Sequence, residues 1–193
     1  MTERYRLILA SNSPRRKALL AGIDLPFEVH TLPDIDESFP EEIPHESVAE
    51  FLACKKAAAY ASQLKEDALL ITADTVVLLH RKVIGKPRDK EEAVRMLQEL
   101  SGETHRVITG VCLTTRRRQK SFSAVSNVTF GALSDEEIAY YVEKYAPLDK
   151  AGGYGVQEWI GYVAVKHIEG SYYNIMGLPI YQLYRELKIF AEK

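Results

Sequence analysis

The hydrophobic and polar positions along the chain follow two spacings, which predict an alternation of strands and helices. Strands are predicted over residues 5–10, 27–32, 68–79, 105–115, 121–132 and 161–168. Helices are predicted from Pro14 onward and over residues 47–63, 89–100, 134–145 and 177–192. Because residues 116–120 have the composition of a hairpin tip, we expect an α/β fold with a mixed sheet rather than a purely parallel one.

Polar residues at the ends of the predicted helices indicate how those helices begin and stop. Ser47 followed by Glu50, and Ser134 followed by Glu137, both match the capping box, in which the two side chains bond each other's backbone N–H groups. A Ser-Gly pair at 101–102 is typical of a helix end. Two helix starts and one helix end are therefore predicted from local pattern alone.

The size and charge of the chain exclude several classes of protein. Its 193 residues, 46% hydrophobic and 27% charged, fit a single globular domain over residues 1–193. A net charge of −2 gives no general affinity for nucleic acid or an anionic membrane. No segment approaches the roughly 20 apolar residues of a membrane span, and residues 1–11 carry too short an apolar run for a signal peptide. We therefore expect a cytoplasmic protein with no nucleic-acid or membrane partner.

The cysteines and histidines predict neither a disulfide framework nor a zinc site. Cys54 and Cys112 are far apart in the sequence, in a predicted helix and a predicted strand, so we interpret them as free thiols. The five histidines are scattered and show no metal-ligand spacing. No zinc site is therefore expected.

A polar turn from Ser11 to Lys17 joins the first predicted strand to a helix. Free backbone N–H groups and the positive end of the helix dipole attract anions at such a turn, and Arg15, Arg16 and Lys17 add positive charge. The turn is thus a candidate phosphate cradle, although a capped helix with solvated cations explains the same residues. The Walker pattern GxxxxGK[ST] does not occur in the sequence.

Asp74 interrupts the apolar run at residues 68–79, for which we expect a strand, a break and a second strand. An unpaired carboxylate costs several kcal/mol to bury. We therefore favour a functional carboxylate over one that accepts backbone hydrogen bonds at a strand end. Lys56, Lys86 and Glu37 could join it, but a snorkelling lysine, an exposed turn lysine and a solvated loop acid are the ordinary interpretations.

A glycine-rich segment at residues 149–157 ends on Gln157. It fails the dinucleotide fingerprint because Glu158 occupies the third glycine position. Glycines let a ligand approach the backbone, and the Gln157 amide offers both a donor and an acceptor, as reading a nucleobase edge requires. The basic stretch 115–120 resembles a nucleic-acid patch, but it is short and lacks aromatic residues, so a solvated hairpin tip is favoured.

The motifs "LASNSPRR", "ADTVV", "GKPRD", "LSGETHRVITGV", "LDKAGGYGVQ" and "GLPI" occur in the order expected of Maf-type nucleoside triphosphate pyrophosphatases, and the chain resembles that family over essentially its whole length. The resemblance implies a cytoplasmic enzyme with an ITPase-like α/β fold, in which two lobes flank a central cleft crossed by a curved mixed sheet. It implies hydrolysis of a nucleoside triphosphate to the monophosphate and pyrophosphate with a divalent metal, Mg²⁺ or Mn²⁺. The family is also associated with septum formation and cell-division arrest.

The resemblance also implies roles for individual residues. Asp74 matches the proton acceptor and is expected to share a metal with Glu37. The positions linked to substrate choice are Arg15, Thr75 and Gln157. The positions expected to bind phosphate are Ser11, Ser13, Arg16, Lys56 and Lys86. The segment "AGGYGVQ" is similar to the branch that prefers dTTP and UTP, but Gly153 and Glu158 depart from that branch, where alanine and glycine are common.

Three other functions remain open from the sequence. A preference for 7-methyl-GTP would place the protein in the other branch of the family. A non-catalytic division regulator would bind the nucleotide only as a ligand, and a nucleic-acid binder would use Arg116 to Arg118. The sequence is compatible with a homodimer but does not determine the oligomeric state.

Overall fold

The computed structural model describes residues 5–192, with side chains up to residue 190. The prediction that residues 1–11 are not a signal peptide rests in part on residues 1–4. These residues and Lys193 lie outside the described residues. The strands are β1 (Arg6–Leu9), β2 (Phe27–Val29), β3 (Ala68–Leu79), β4 (Lys82–Ile84), β5 (Thr104–Thr114), β6 (Gln119–Phe130) and β7 (Val165–Glu169). The helices are α1 (Pro14–Ala21), α2 (Val48–Ala59), α3 (Lys90–Leu100), α4 (Asp135–Tyr145), α5 (Trp159–Ala164), α6 (Tyr172–Ile175) and α7 (Ile180–Glu192). Short 3₁₀ turns lie at His45–Ser47, Ala61–Gln63 and Ala151–Gly153.

Within the described residues, seven strands form one sheet in the order β2-β1-β3-β5-β6-β7, with β4 paired to β3. Strand β1 runs parallel to β2 and β3, whereas β4 is antiparallel to β3 and β7 is antiparallel to β6. The predicted α/β fold with a mixed sheet is therefore confirmed. None of the described helices combines the length and apolar character needed to cross a bilayer.

The contacts within the chain divide it into two compact units. The first contains the chain up to Asp74, Thr109–Ala124 and the chain from Gly177 onward. The second contains Thr75–Ile108 and Val125–Met176. A single domain and a cleft between two lobes both stay predictions.

Helix α2 packs tightly on the sheet of the first unit because β5 carries a glycine beneath it. A Cβ atom on Gly110 would lie 2.3 Å from the Glu50 nitrogen and 2.4 Å from the Ala49 carbonyl, so only glycine fits. The Thr72 hydroxyl on β3 donates to the carbonyl of Ala53 in α2 at 2.7 Å, which joins the helix to the strand. These contacts fix the height of α2 over β3, and with it the position of the side chains that both elements carry.

The second unit encloses its own apolar core, in which α3, α4 and the glycine-rich segment share buried side chains. Its fully buried members include Leu97, Leu100, Phe130 and Tyr141. The predicted box at Ser134 is present, since its Oγ accepts from the Glu137 N–H at 3.2 Å and the Glu137 carboxylate accepts from the Ser134 N–H at 2.8 Å. The predicted helix stop is also present, with Ser101 as the cap of α3 and Gly102 at a φ of 77°.

The expected break at Asp74 is wrong, because β3 continues without interruption from Ala68 to Leu79. The strand buries both of its faces at this point, and Asp74 remains 6% exposed. A partner supplied by α2, described below, stabilises the carboxylate, so the strand does not need to end there.

The capping box predicted at Ser47 and Glu50 is also wrong. The 3₁₀ turn His45–Ser47 runs directly into α2, so Ser47 has helical dihedral angles (φ −93°, ψ −9°) and its side chain caps nothing. Glu50 instead accepts a hydrogen bond from Ser121 Oγ at 2.6 Å.

The strand predicted over 161–168 begins later, because Trp159–Ala164 forms helix α5. Ile160 and Ala164, four positions apart, are buried, while Tyr162 between them is 83% exposed. This is a helical burial pattern, which the small residues in the stretch made hard to distinguish from strand alternation. The last helix likewise starts at Ile180 rather than 177, and the short helix α6 was not predicted.

Candidate active site

The turn between β1 and α1 is an ordered helix cap that still leaves groups for a ligand. Ser13 caps α1 through its Oγ, which accepts from the Arg16 N–H at 3.4 Å, and Pro14 occupies the first turn. Ser11 Oγ is buried and accepts from the Ser13 N–H at 3.2 Å. Each hydroxyl retains its own O–H to donate. The capped-helix interpretation is therefore correct for the backbone and compatible with anion binding.

Arg16 ties this turn to two distant segments of the first unit. Its Nη1 donates to the Ala73 carbonyl at 2.8 Å and its Nε donates to the Gly177 carbonyl at 2.7 Å. Burial lowers the pKa of the Arg16 guanidinium, an effect opposed by the negative charges of Asp74 and Glu37 and reinforced by Arg15. The guanidinium nevertheless stays charged, since arginine does not deprotonate in proteins. Arg16 thus anchors the strand at the residue that precedes Asp74.

Lys56 joins the two carboxylates that the sequence singled out. Its ammonium forms an ion pair with Asp74 Oδ1 and lies 2.9 Å from Glu37 Oε1. The Lys56 and Asp74 side chains are 13% and 8% exposed, whereas that of Glu37 is 46% exposed. The buried carboxylate on β3 is therefore compensated by a cation from α2, and the second carboxylate reaches the same cation from the loop after β2.

A second pair holds the acidic loop in place beside Lys56. Lys55 Nζ lies 2.7 Å from Asp36 Oδ2, and Asp36 also accepts from the backbone N–H and hydroxyl of Ser38. The hydrogen bond from Lys55, followed by those from Ser38, holds the pKa of Asp36 well below its usual range. Two adjacent lysines of α2 thus bind two adjacent acids of the loop, an arrangement that sequence reasoning missed because it treated the loop as solvated.

The remaining predicted residues belong to the second unit. Thr75 follows Asp74 on β3 and is half-buried, and Lys86 is exposed in the segment between β4 and α3. That segment is bonded to the glycine-rich segment, because the Gly152 N–H donates to the Gly85 carbonyl at 2.9 Å. Gln157 is half-buried, and among the described residues its buried Oε1 has no hydrogen-bond partner.

Sequence reasoning also missed a buried histidine beneath the glycine-rich segment. His105 Nε2 lies 2.7 Å from the Tyr154 hydroxyl, and both rings pack edge-on against Phe130. Burial lowers the pKa of His105 to about 4 and raises that of Tyr154. The ring is therefore neutral near physiological pH, and it supports the segment that carries Gln157. The sequence placed His105 on a predicted strand, and no metal-ligand spacing singled it out.

The basic hairpin tip contacts acidic and aromatic side chains of its own unit. Arg116 and Arg117 lie 3.7 Å and 3.2 Å from the two carboxylate oxygens of Glu66. The Arg118 guanidinium lies 4.0 Å from the centre of the Phe190 ring. These contacts fit the hairpin-tip interpretation better than a dedicated nucleic-acid surface.

Residues 6–190 match the family model described as Maf-like protein. The chain is 57% identical over 186 residues to a dTTP/UTP pyrophosphatase of Phocaeicola vulgatus and 59% identical over 186 residues to one of Bacteroides thetaiotaomicron, with 96% of each chain covered in both cases. It is 54% identical over 192 residues to a dTTP/UTP pyrophosphatase of Porphyromonas gingivalis, covering 98% of this chain and 96% of that protein.

A solved structure, that of a HAM1 protein from Coxiella burnetii, covers 96% of this chain and 99% of its own, with a TM-score of 0.50 and 15% identity. At that identity the likeness concerns the fold alone, and it agrees with the mixed α/β architecture. The range matched by the family model, residues 6–190, contains the turn at Ser13, Lys56 and the glycine-rich segment. The chain therefore belongs to the Maf-like protein family.

Proposed function

We propose that this Maf-like protein hydrolyses dTTP and UTP to the nucleoside monophosphate and pyrophosphate. The observation that carries the proposal is the buried Asp74, held by Lys56 beside Glu37 and Arg16. An isolated buried carboxylate is costly, so a chain that builds a cationic setting around one retains it for chemistry. The names of relatives more than half identical over nearly the full chain support the same reaction.

The phosphates are bound by the cationic turn at the start of α1. Arg15 supplies a planar fork that pairs with two phosphate oxygens, and the Ser11 and Ser13 hydroxyls donate beside the helix N-terminus. Arg16 holds the carbonyls of Ala73 and Gly177 and so keeps its positive charge beside the turn, where it favours a bound anion. Lys56 and, as the family resemblance implies, Lys86 add point charges. Catalysis then consists mostly of positioning and charge stabilisation.

Asp74 acts as the general base in this proposal. Lys56 fixes Oδ1 and so orients the carboxylate, which takes a proton from a water aligned with the α-phosphorus. The bond between the α-phosphorus and the bridging oxygen breaks, and pyrophosphate leaves with the electron pair. Thr75, the next residue on β3, is proposed to contribute to substrate choice with Arg15.

Glu37 and Asp74 fit a hard divalent cation. Both carboxylates converge on one ammonium, so both are within reach of one small cation, and the described residues contain no larger cluster of His, Cys, Asp or Glu placed to hold a metal. Mg²⁺ and Mn²⁺ suit such a pair, since Mg²⁺ binds one or two carboxylates and completes its shell with waters and phosphate oxygens. When bound, the ion would withdraw charge from the phosphate oxygens.

Gln157 reads the base. Its Oε1 is a buried acceptor without a partner among the described residues, and such an acceptor is costly to leave unpaired. Uracil and thymine present an imide N–H flanked by carbonyls, to which an amide can offer one acceptor and one donor. Cytosine presents a lone pair at the same ring position, so acceptor would meet acceptor. We therefore propose that Gln157 selects uracil and thymine over cytosine. As the family resemblance implies, we also propose that the protein acts in the cytoplasm.

A nucleotide panel tests the function directly. Purified protein is incubated with Mg²⁺ or Mn²⁺ and UTP, dTTP, CTP, dCTP or 7-methyl-GTP, and pyrophosphate and orthophosphate are measured separately. We expect pyrophosphate, with kcat/KM for UTP and dTTP at least about tenfold above CTP and dCTP. Gln157→Glu should narrow that gap, whereas Gln63→Glu, an exposed glutamine outside the site, should not.

Other outcomes of the panel point to the other candidate functions. A preference for 7-methyl-GTP would assign the protein to the other branch of the family. Tight nucleotide binding without turnover would favour a regulator of division that uses the nucleotide only as a ligand. Either result contradicts the proposed activity.

A further inference from the structure

The loop that carries Gln157 is held by a buried network of charged and phenolic side chains. Lys150 is only 8% exposed, and its Nζ lies 3.1 Å from Glu158 Oε1 and 2.7 Å from Asp149 Oδ1. The other Glu158 oxygen accepts from the Tyr141 hydroxyl, which itself accepts from the Gly155 N–H at 3.0 Å. The network therefore links helix α4 to both ends of the segment 155–158.

This network closes a turn whose central residues are Val156 and Gln157. The Glu158 N–H donates to the Gly155 carbonyl at 2.9 Å, which is the bond between the first and fourth residues of a β-turn. Side chains of the network also press on the turn from outside. A Cβ atom on Gly155 would lie 2.9 Å from Glu158 Cδ and 3.0 Å from Lys150 Cε. The first and fourth residues of the turn are thus fixed, and with them the backbone position of Gln157 between them.

Stability alone does not account for such a network. A buried ion pair is often no more stabilising than apolar residues of the same size, because removing two charges from water offsets their attraction. Burial, and then the hydrogen bond to Glu158, raise the pKa of Tyr141, so the phenol remains a donor. What the network does provide is a fixed geometry beside Gln157 Oε1, the acceptor without a partner among the described residues.

We propose that Lys150, Glu158 and Tyr141 are positioning residues that set the Gln157 amide for base selection. This inference rests on the proposed function, since it concerns the same substrates. A misaligned amide would still allow the triphosphate to bind and react, but it would no longer distinguish the imide N–H of uracil from the lone pair of cytosine. Loss of the network should therefore raise KM for UTP and leave kcat much less affected.

The test compares kcat and KM for UTP and CTP in wild type, Glu158→Gln and Tyr141→Phe. Both substitutions conserve size. Glu143→Gln is the matched control, because Glu143 lies on α4 with Tyr141 but forms an exposed ion pair with Lys90 at 2.7 Å. In the first two variants we expect the UTP-to-CTP ratio of kcat/KM to fall at least about fivefold, the effect of one weakened hydrogen bond. The control should keep the wild-type ratio.

A double variant separates positioning from general damage to the fold. Once Gln157→Ala has removed the amide, adding Glu158→Gln should reduce the ratio no further. An unchanged ratio in Glu158→Gln and Tyr141→Phe, or a further fall in the double variant, would overturn the positioning role. Wild-type protein that releases no pyrophosphate from UTP would instead overturn the proposed function, and the inference with it. Thermal unfolding of each variant shows whether a reduced UTP-to-CTP ratio is accompanied by a loss of folded protein. Such a loss would also count against a positioning role.

Discussion

Replacing Lys56 by methionine removes the cation that Asp74 and Glu37 share. Methionine keeps an unbranched apolar chain of the same length as the lysine stem and lacks only the ammonium, so the change removes the charge with little change in packing. The Asp74 side chain, 8% exposed, is left without its ion-pair partner, whereas Glu37 can turn to solvent. Asp74→Asn is the reciprocal change, and it leaves Lys56 paired with Glu37. The two substitutions therefore break the same ion pair with unequal consequences.

The structure allows the size of this asymmetry to be worked out. Removing one partner of a buried pair costs about 3–5 kcal/mol, and the nearby Arg16 charge places Lys56→Met at the lower end, about 3 kcal/mol. After Asp74→Asn the Lys56 ammonium still pairs with Glu37, which is nearly half exposed, so neither charge is left buried without a partner and only the contribution of an exposed-type pair, at most about 1 kcal/mol, changes. Asp74→Asn should therefore cost only about 1 kcal/mol. In the double variant no buried carboxylate remains unpaired, so its cost should fall about 2 kcal/mol short of the sum.

Urea unfolding of the four proteins near neutral pH, with a chelator and without nucleotide, measures these free energies. We expect Lys56→Met to lower the free energy of unfolding more than Asp74→Asn does. We also expect a coupling of about 2 kcal/mol between the two substitutions in the double variant. Equal losses in the two single variants would mean that Glu37 does not compensate Lys56. Strict additivity in the double variant would mean that the ion pair has no energetic role.

Two further predictions concern phosphate binding and acid stability. Arg15→Lys should lower kcat/KM for UTP about tenfold, because an ammonium cannot reproduce the guanidinium fork, whereas Arg117→Ala at the hairpin tip should leave steady-state kinetics unchanged. A larger loss of kcat/KM for Arg117→Ala than for Arg15→Lys would mean that the phosphate site does not lie at the start of α1. The pKa of His105 falls from 6.5 to about 4 on burial, so its neutral form stabilises the folded state fully above pH 6.5, and this contribution is lost as the pH falls toward 4. Urea unfolding across that range should show wild type losing about 3 kcal/mol more than His105→Gln, and parallel curves would refute the assignment.

The local sequence patterns predicted elements that the few residues of the pattern decide, and they failed where residues outside the pattern determine the conformation. The same Ser-x-x-Glu pattern occurs at Ser134 and at Ser47, yet only the first is a capping box. The difference lies in the preceding residues, because a 3₁₀ turn places Ser47 in a helical conformation before α2 begins. Four residues of sequence carry no information about that turn.

The candidate site shows the same division between local and distant interactions. Asp74 stood out because a carboxylate within an apolar run requires a partner, but the partner comes from α2, and the expected break in β3 was therefore wrong. Arg16 was predicted to bind phosphate from its local setting. Its bonds to the carbonyls of Ala73 and Gly177, 57 and 161 positions away, depend on how the chain folds. The network around Glu158 was likewise not predicted, although Glu158 had been noted as a departure from the family pattern.

The role of Asp74 as general base is the central claim, and the turnover of Asp74→Asn tests it most directly. The amide keeps the shape of the carboxylate and leaves Lys56 paired with Glu37, so the protein should remain folded. With UTP and Mg²⁺, pyrophosphate release measured at saturating substrate should fall at least about 100-fold in kcat, the low end for loss of a general base. A folded Asp74→Asn protein that turns over at close to the wild-type rate would contradict the account.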